Sequence, residues 1–142
     1  NKILQNQFIK RTIKKRYVAL LNGDLTKDKG TIKLPLRLDL DDRPRQLVDF
    51  EYGKNAETNW EIIKKENGKT KVYFYPITGR THQLRVHAKE IGHPIIGDFK
   101  YGGKKSMIKK VADRLCLHAQ KIEIQEYFGK NLVIEVEGVE FV

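Results

Sequence analysis

Between Pro76 and His87 the chain reads Pro-Ile-Thr-Gly-Arg-Thr-His-Gln-Leu-Arg-Val-His. Two arginines, two histidines, a glutamine and a glycine gather there, at the start of what the spacing predicts to be a short helix. A helix packed only for its core does not need that mixture, whereas a site that handles a polar, anionic substrate does. Arg85 follows Leu84 by one position, so if Leu84 packs inward Arg85 projects about 100° away. It is then either an ordinary surface arginine or a charge aimed into a cleft. Arg80 and His82 flank the predicted helix start, where backbone N–H groups favour an anion. His82 reads equally as a capping or packing residue. His82 and His87 are five apart, which is not the i, i+4 spacing that sets two imidazoles on one helical face. No glutamate follows His82, so no metal site is expected.

A second group is Tyr17, directly after Lys14, Lys15 and Arg16. This places an aromatic face beside charge that suits phosphate, although a strand tyrosine is also a common core residue. A second basic cluster holds Lys100 and Lys104 and continues through Lys105, Lys109 and Lys110. The formal charge of +10 over 142 residues implies an anionic partner, with nucleic acid foremost. The alternative is a merely solvated surface.

Those residues need elements to position them. Tyr17–Leu21 is an apolar run within a predicted strand from Lys15 to Leu21, ended by Asn22-Gly23. Ile32, Leu34 and Leu36 alternate in a second, from Thr31 to Leu36. Arg37 to Arg45 is polar and reads as a loop, and Gln46 to Tyr52 as a third strand. Glu57 to Lys65 and Thr70 to Tyr75 form a hairpin around Asn67-Gly68, two residues that tolerate the positive φ of tight turns. Leu84, His87, Ala88 and Ile91 fall at i, i+3, i+4 and i+7 of a helix, which Thr81 can cap and Gly92 can end. Lys105 to Asp113 is a weaker helix. Arg114 to Glu126 and Asn131 to Glu137 are closing strands. Strands outnumber helices and connections are short, which predicts a single α+β domain over residues 1–142 with a largely antiparallel sheet.

The hydrophobic share of 39% supports a core, and no apolar run approaches the roughly 20 residues of a membrane-spanning helix. One cysteine, Cys116, excludes an intrachain disulfide and a cysteine cluster for zinc, and fits a reducing cytoplasm. The chain opens on Asn1, not Met, which predicts a processed or truncated piece of a longer protein.

The run from Pro76 to Asp98, with Gln-Leu-Arg-Val-His at its centre, resembles the late motif of the RluA-type pseudouridine synthases. So do Lys-Arg-Tyr-Val-Ala around Tyr17 and Leu-Cys-Leu-His-Ala around His118. The resemblance extends from about Gln7 to Glu135. It implies the C-terminal portion of the pseudouridine synthase catalytic fold. It further implies isomerisation of uridine in structured ribosomal or transfer RNA, without metal or organic cofactor. Arg85 would pair with the catalytic aspartate, Tyr17 would stack on the extruded base, and Leu84 would wall the pocket. Arg80, His82, Lys14, Lys15, Arg16, Lys100 and Lys104 would face the RNA. His118 would be a hydrogen-bonded core residue.

That family's aspartate lies in Arg-Leu-Asp, two variable residues, then Thr-Ser-Gly. Arg37-Leu38-Asp39 matches three letters, but Leu40-Asp41-Asp42-Arg43-Pro44 follows, and the order relative to Tyr17 is reversed. Asp39 is therefore not expected to be the nucleophile, which should lie upstream of this chain. The chain alone is expected to bind RNA weakly without turnover, with Arg85 left unpaired and its site distorted or solvent-filled. The other readings are a non-catalytic RNA-binding module and a protein-interaction domain.

Overall fold

The computed structural model describes residues 13–103, 114–127 and 130–136. Among these, six strands form one antiparallel sheet in the order β2-β5-β6-β1-β7-β8. They are β1 (Ile13–Asn22), β2 (Lys29–Lys33), β5 (Glu57–Glu66), β6 (Lys69–Pro76), β7 (Leu117–Tyr127) and β8 (Lys130–Glu135). A two-stranded ribbon of β3 (Leu36–Leu38) and β4 (Gln46–Val48) stands apart, and one helix, α1 (Gln83–Glu90), packs on the sheet. The predicted helix at Lys105 to Asp113 lies outside the described residues.

The β5–β6 hairpin follows directly from its sequence. Asn67 (φ 54) and Gly68 (φ 73) both take positive φ between Glu66 and Lys69, as a two-residue I′ turn requires. Thr58 and Trp60 alternate inward and are buried. Tyr17, Ala19 and Leu21 of β1 face the same side as Phe74 and Val72 of β6, and Leu84 and Ala88 of α1 close over them. Phe74 is wholly buried at the centre of this cluster. Trp60 lies across Gly30 of β2, so closely that a Cβ there would sit 2.7 Å from the indole.

Several strand boundaries differ from the sequence reading, among them the start of the first closing strand, at Leu117 rather than Arg114. The predicted strand at 31–36 divides, with β2 ending at Lys33 and Leu36 opening β3. The predicted strand at Gln46 to Tyr52 stops at Val48, because Asp49 folds the chain back. Its carboxylate accepts the N–H groups of Glu51 and Tyr52 and the Nε of Arg37. Such local side-chain acceptors compete with a sheet ladder. His118, expected in the core, is exposed on β7, since the strand alternates and Leu117, paired with Ala19, takes the face that packs on the core cluster.

After α1 the chain turns at Gly92 (φ 86) and runs beside the end of β1. Asn22 N–H donates to Pro94 O, Ile96 N–H to Leu20 O, and Cys116 N–H to Ile96 O. Gly97 (φ 85) then passes so close to the Arg114 carbonyl that no side chain fits. This stitching fixes where Asp98 emerges.

Candidate active site

A cleft of about 630 Å³ opens between the first half of β1, the loop after β6 and the start of α1. It gathers Tyr17, Leu84, Arg85, Arg80, His82 and Lys15. Sequence-distant residues of the resemblance therefore share one cavity. No Asp or Glu is among the described residues that line it.

A buried polar network holds its floor. Gln83 donates through Nε2 to the Glu57 carbonyl and to Thr58 Oγ1, both at 2.9 Å. Its Oε1 accepts the Thr78 hydroxyl at 2.6 Å and the Arg80 N–H at 3.1 Å. Thr58 in turn bonds His87 Nδ1 at 2.8 Å, and His87 Nε2 reaches the Leu34 carbonyl at 3.0 Å. With Thr58 accepting from Gln83, its proton goes to His87 Nδ1, so His87 carries its own on Nε2. Burial pushes the His87 pKa down, against the pull of the Leu34 carbonyl. Every member of the network is satisfied, which makes the loop from Pro76 to His82 rigid rather than merely tethered. The sequence reading placed Thr58 on the core face of its strand but gave neither it nor Thr78 a part in the site.

Arg85 is not left unpaired. Its Nε and Nη2 form a fork on Asp98, at 3.0 and 2.9 Å. The Asp98 side chain has no exposure and the Arg85 side chain retains 21%. This overturns the expectation of a lone buried charge. The hydrogen-bonded Asp98 carboxylate raises the Arg85 pKa further, against the cost of burial. Asp98 also accepts the Tyr101 N–H at 3.1 Å. The sequence reading allowed Asp98 a neighbouring cation without naming Arg85, which lies 13 positions away, across the turn that Gly97 makes.

Tyr101 was missed altogether. It is 5% exposed, and the guanidinium carbons of Arg45 and Arg85 each lie 5.0 Å from its ring centre. Its hydroxyl meets His82 Nδ1 at 2.6 Å. His82, not Thr81, is the N-cap of α1, with no side-chain capping bond. Burial first, then Arg85 and Lys100, push the His82 pKa down, while Asp98 opposes them.

The expected basic surface is rearranged. Lys15 and Tyr17 face the cleft, whereas strand alternation sends Lys14 and Arg16 to the other face of β1. There Arg16 bonds Gln120 at 2.6 Å and Glu135 at 2.9 Å and lies 4.3 Å over the Tyr73 ring. Lys100 sits beside the cleft, its Nζ 4.0 Å from Asp42. Lys104 lies outside the described residues. Arg80 is anchored through Nε to the Asn55 carbonyl at 2.9 Å. Asp39 is not among the residues that line the cleft, and it accepts the Asp41 N–H at 3.0 Å, a local loop bond.

With this geometry in place, similarity to known proteins can be placed on it. The sequence profile described as RNA pseudouridylate synthase matches residues 1–90. The chain belongs to that family. It is 47% identical over 136 residues to the dual-specificity RNA pseudouridine synthase RluA of Haemophilus ducreyi, covering 93% of this chain and 60% of that protein. The RluA of Yersinia pestis is 47% identical over 137 residues, covering 95% of this chain and 66% of that one. The RluA of Escherichia coli K12 is 43% identical over 122 residues, covering 85% and 55%. Among solved structures, human RNA pseudouridylate synthase domain containing 1 superposes with a TM-score of 0.81 at 27% identity. That match covers 96% of this chain and 59% of that one. The chain thus spans about three fifths of the length of the relatives it matches.

Proposed function

We propose that this chain supplies the base-binding half of an RluA-type RNA pseudouridine synthase, acting on structured ribosomal or transfer RNA in the cytoplasm. The observation that carries the reading is one cleft in which a charged, forked Arg85 stands beside Tyr17 and Leu84 under a basic rim. In the reaction the N1–C1′ bond of uridine breaks, the uracil turns, and a C5–C1′ bond forms. C5 loses its proton and N1 gains one, so atoms balance with no cofactor. A carboxylate from outside the described residues would initiate the step, by attack or by removal of a sugar proton. Arg85 would hold it ionised with the donors that Asp98 leaves unused, since a guanidinium has five N–H groups. Tyr17 would receive the extruded base by stacking and Leu84 would wall the pocket. Lys15 and Arg80 would meet phosphates.

The test is uridine-to-pseudouridine conversion by the full-length protein and its variants. Arg85→Ala should slow conversion by about a hundredfold or more, and Tyr17→Leu should do likewise. Asp39→Asn should leave it near normal. RNA binding with no conversion by the full-length protein would overturn the enzyme reading in favour of a binding module. Loss of turnover by several orders of magnitude in Asp39→Asn would make Asp39 the nucleophile.

A further inference from the structure

His82 holds the least ordinary backbone of the cleft. At φ 55 and ψ 19 it is left-handed, a conformation that is unfavourable for a non-glycine residue. Asn67 alone shares positive φ among the described non-glycine residues, and there a hairpin turn demands it. At His82 the result is a ring whose Nδ1 is presented to the Tyr101 hydroxyl.

That hydroxyl has a second partner. It accepts the Gln46 N–H at 3.0 Å. A tyrosine hydroxyl has one hydrogen to give, and the other group within reach is His82 Nδ1, at 2.6 Å. Nδ1 is therefore the acceptor, and the imidazole proton resides on Nε2. Tyr101 cannot turn away, because Asp98 holds its N–H and the ring is buried beside Arg85 and Arg45. With Nδ1 capped by a buried residue, the opposite edge of the ring is the one that can face the cleft, among whose lining residues are Tyr17, Leu84 and Arg85.

We propose that His82, set by the positioning residue Tyr101, presents a fixed Nε2–H donor to one carbonyl oxygen of the target uracil and thereby selects it. This rests on the pseudouridine synthase reading. A neutral donor suits a carbonyl better than a phosphate, which recruits imidazolium. Burial and the neighbouring Arg85 and Lys100 push the His82 pKa down, which favours the neutral ring. A base carrying an amino group at that position would set donor against donor and leave His82 unsatisfied, which is how a polar site rejects a near-isostere.

The experiment uses the full-length protein and an RNA it converts, with uridine, 2-thiouridine or 4-thiouridine at the target position. Sulfur is the poorer acceptor. The wild type should convert one thio substrate about tenfold more slowly than uridine, the worth of one hydrogen bond. His82→Ala should slow uridine about tenfold and lose that preference, with RNA affinity within about twofold of wild type. Tyr101→Phe, which keeps the ring and removes only the hydroxyl, should lose most of the preference too. A folded His82→Ala that keeps the wild-type preference overturns the proposal. If His82→Ala does not fold, an unaltered preference in Tyr101→Phe does so. A wild type that converts no uridine overturns the enzyme reading itself, and the role of His82 with it.

Discussion

At the scale of single residues, the Arg85–Asp98 fork differs from the other ion pairs among the described residues in that its carboxylate is fully buried. Lys64–Glu66 and Lys89–Glu90 are exposed, and such pairs contribute little to stability. Asp98 is sealed, so removing it leaves a guanidinium facing a void and strips Tyr101 N–H of its acceptor. Asp98→Ala should therefore lower unfolding stability by about 3 kcal/mol, measured by urea denaturation, whereas Glu66→Ala should leave the urea midpoint nearly unchanged. Equal effects would mean that the fork is no more than a surface contact. The sequence showed Arg85 as a charge one step off an apolar stripe. It did not show Asp98 as its holder, because that depends on a left-handed Gly97 pressed on the Arg114 carbonyl. A pair created by a tertiary turn leaves no periodic signal.

At the scale of elements, polar groups tie α1 to β5, since Gln83 and His87 both meet Thr58. His87 bridges Thr58 and the Leu34 carbonyl while neutral, and its pKa lies below that of the unfolded chain. The unfolded state then binds a proton more readily, so this stability is present above the unfolded pKa of about 6.5 and is lost as pH falls below it. His82, also lowered, acts in the same window and direction. Urea midpoints should fall between pH 7.5 and pH 5.5. His82→Phe should keep the part of that fall due to His87, and a flat response in that variant would contradict the buried neutral ring. The hairpin and α1 were legible as period-2 and period-3.6 patterns, and the closing strands as two runs around a turn. The β3–β4 ribbon was not, because strands of three residues carry no pattern and Asp49 ends β4 with a side chain. The parity of Lys14, Lys15 and Arg16 was readable from alternation alone, once the strand's apolar face was known.

At the scale of the whole molecule, the charge of +10 is not evenly useful. RNA affinity should fall steeply with salt as counterions are released. Lys15→Ala should reduce the slope of log affinity against log salt by about one contact. Lys14→Ala, on the opposite face of β1, should leave the slope nearly unchanged. Equal losses from both would place RNA on both faces of the sheet. No helix among the described residues is long and apolar enough to cross a membrane. Family membership was legible from one dense motif and the order of two weaker ones, whereas the cleft's inner wiring was not.

Trp60 is the sole tryptophan. It is clamped against Gly30 two strands from β1 and does not line the cleft. Its emission is thus a built-in optical gauge of whether the sheet edge is seated, read without a label. A substitution at Arg85, Tyr17 or His82 that silences the protein but leaves this emission unshifted has damaged recognition or chemistry. One that moves it to the red has loosened the scaffold, and its lost turnover says nothing about the residue's role.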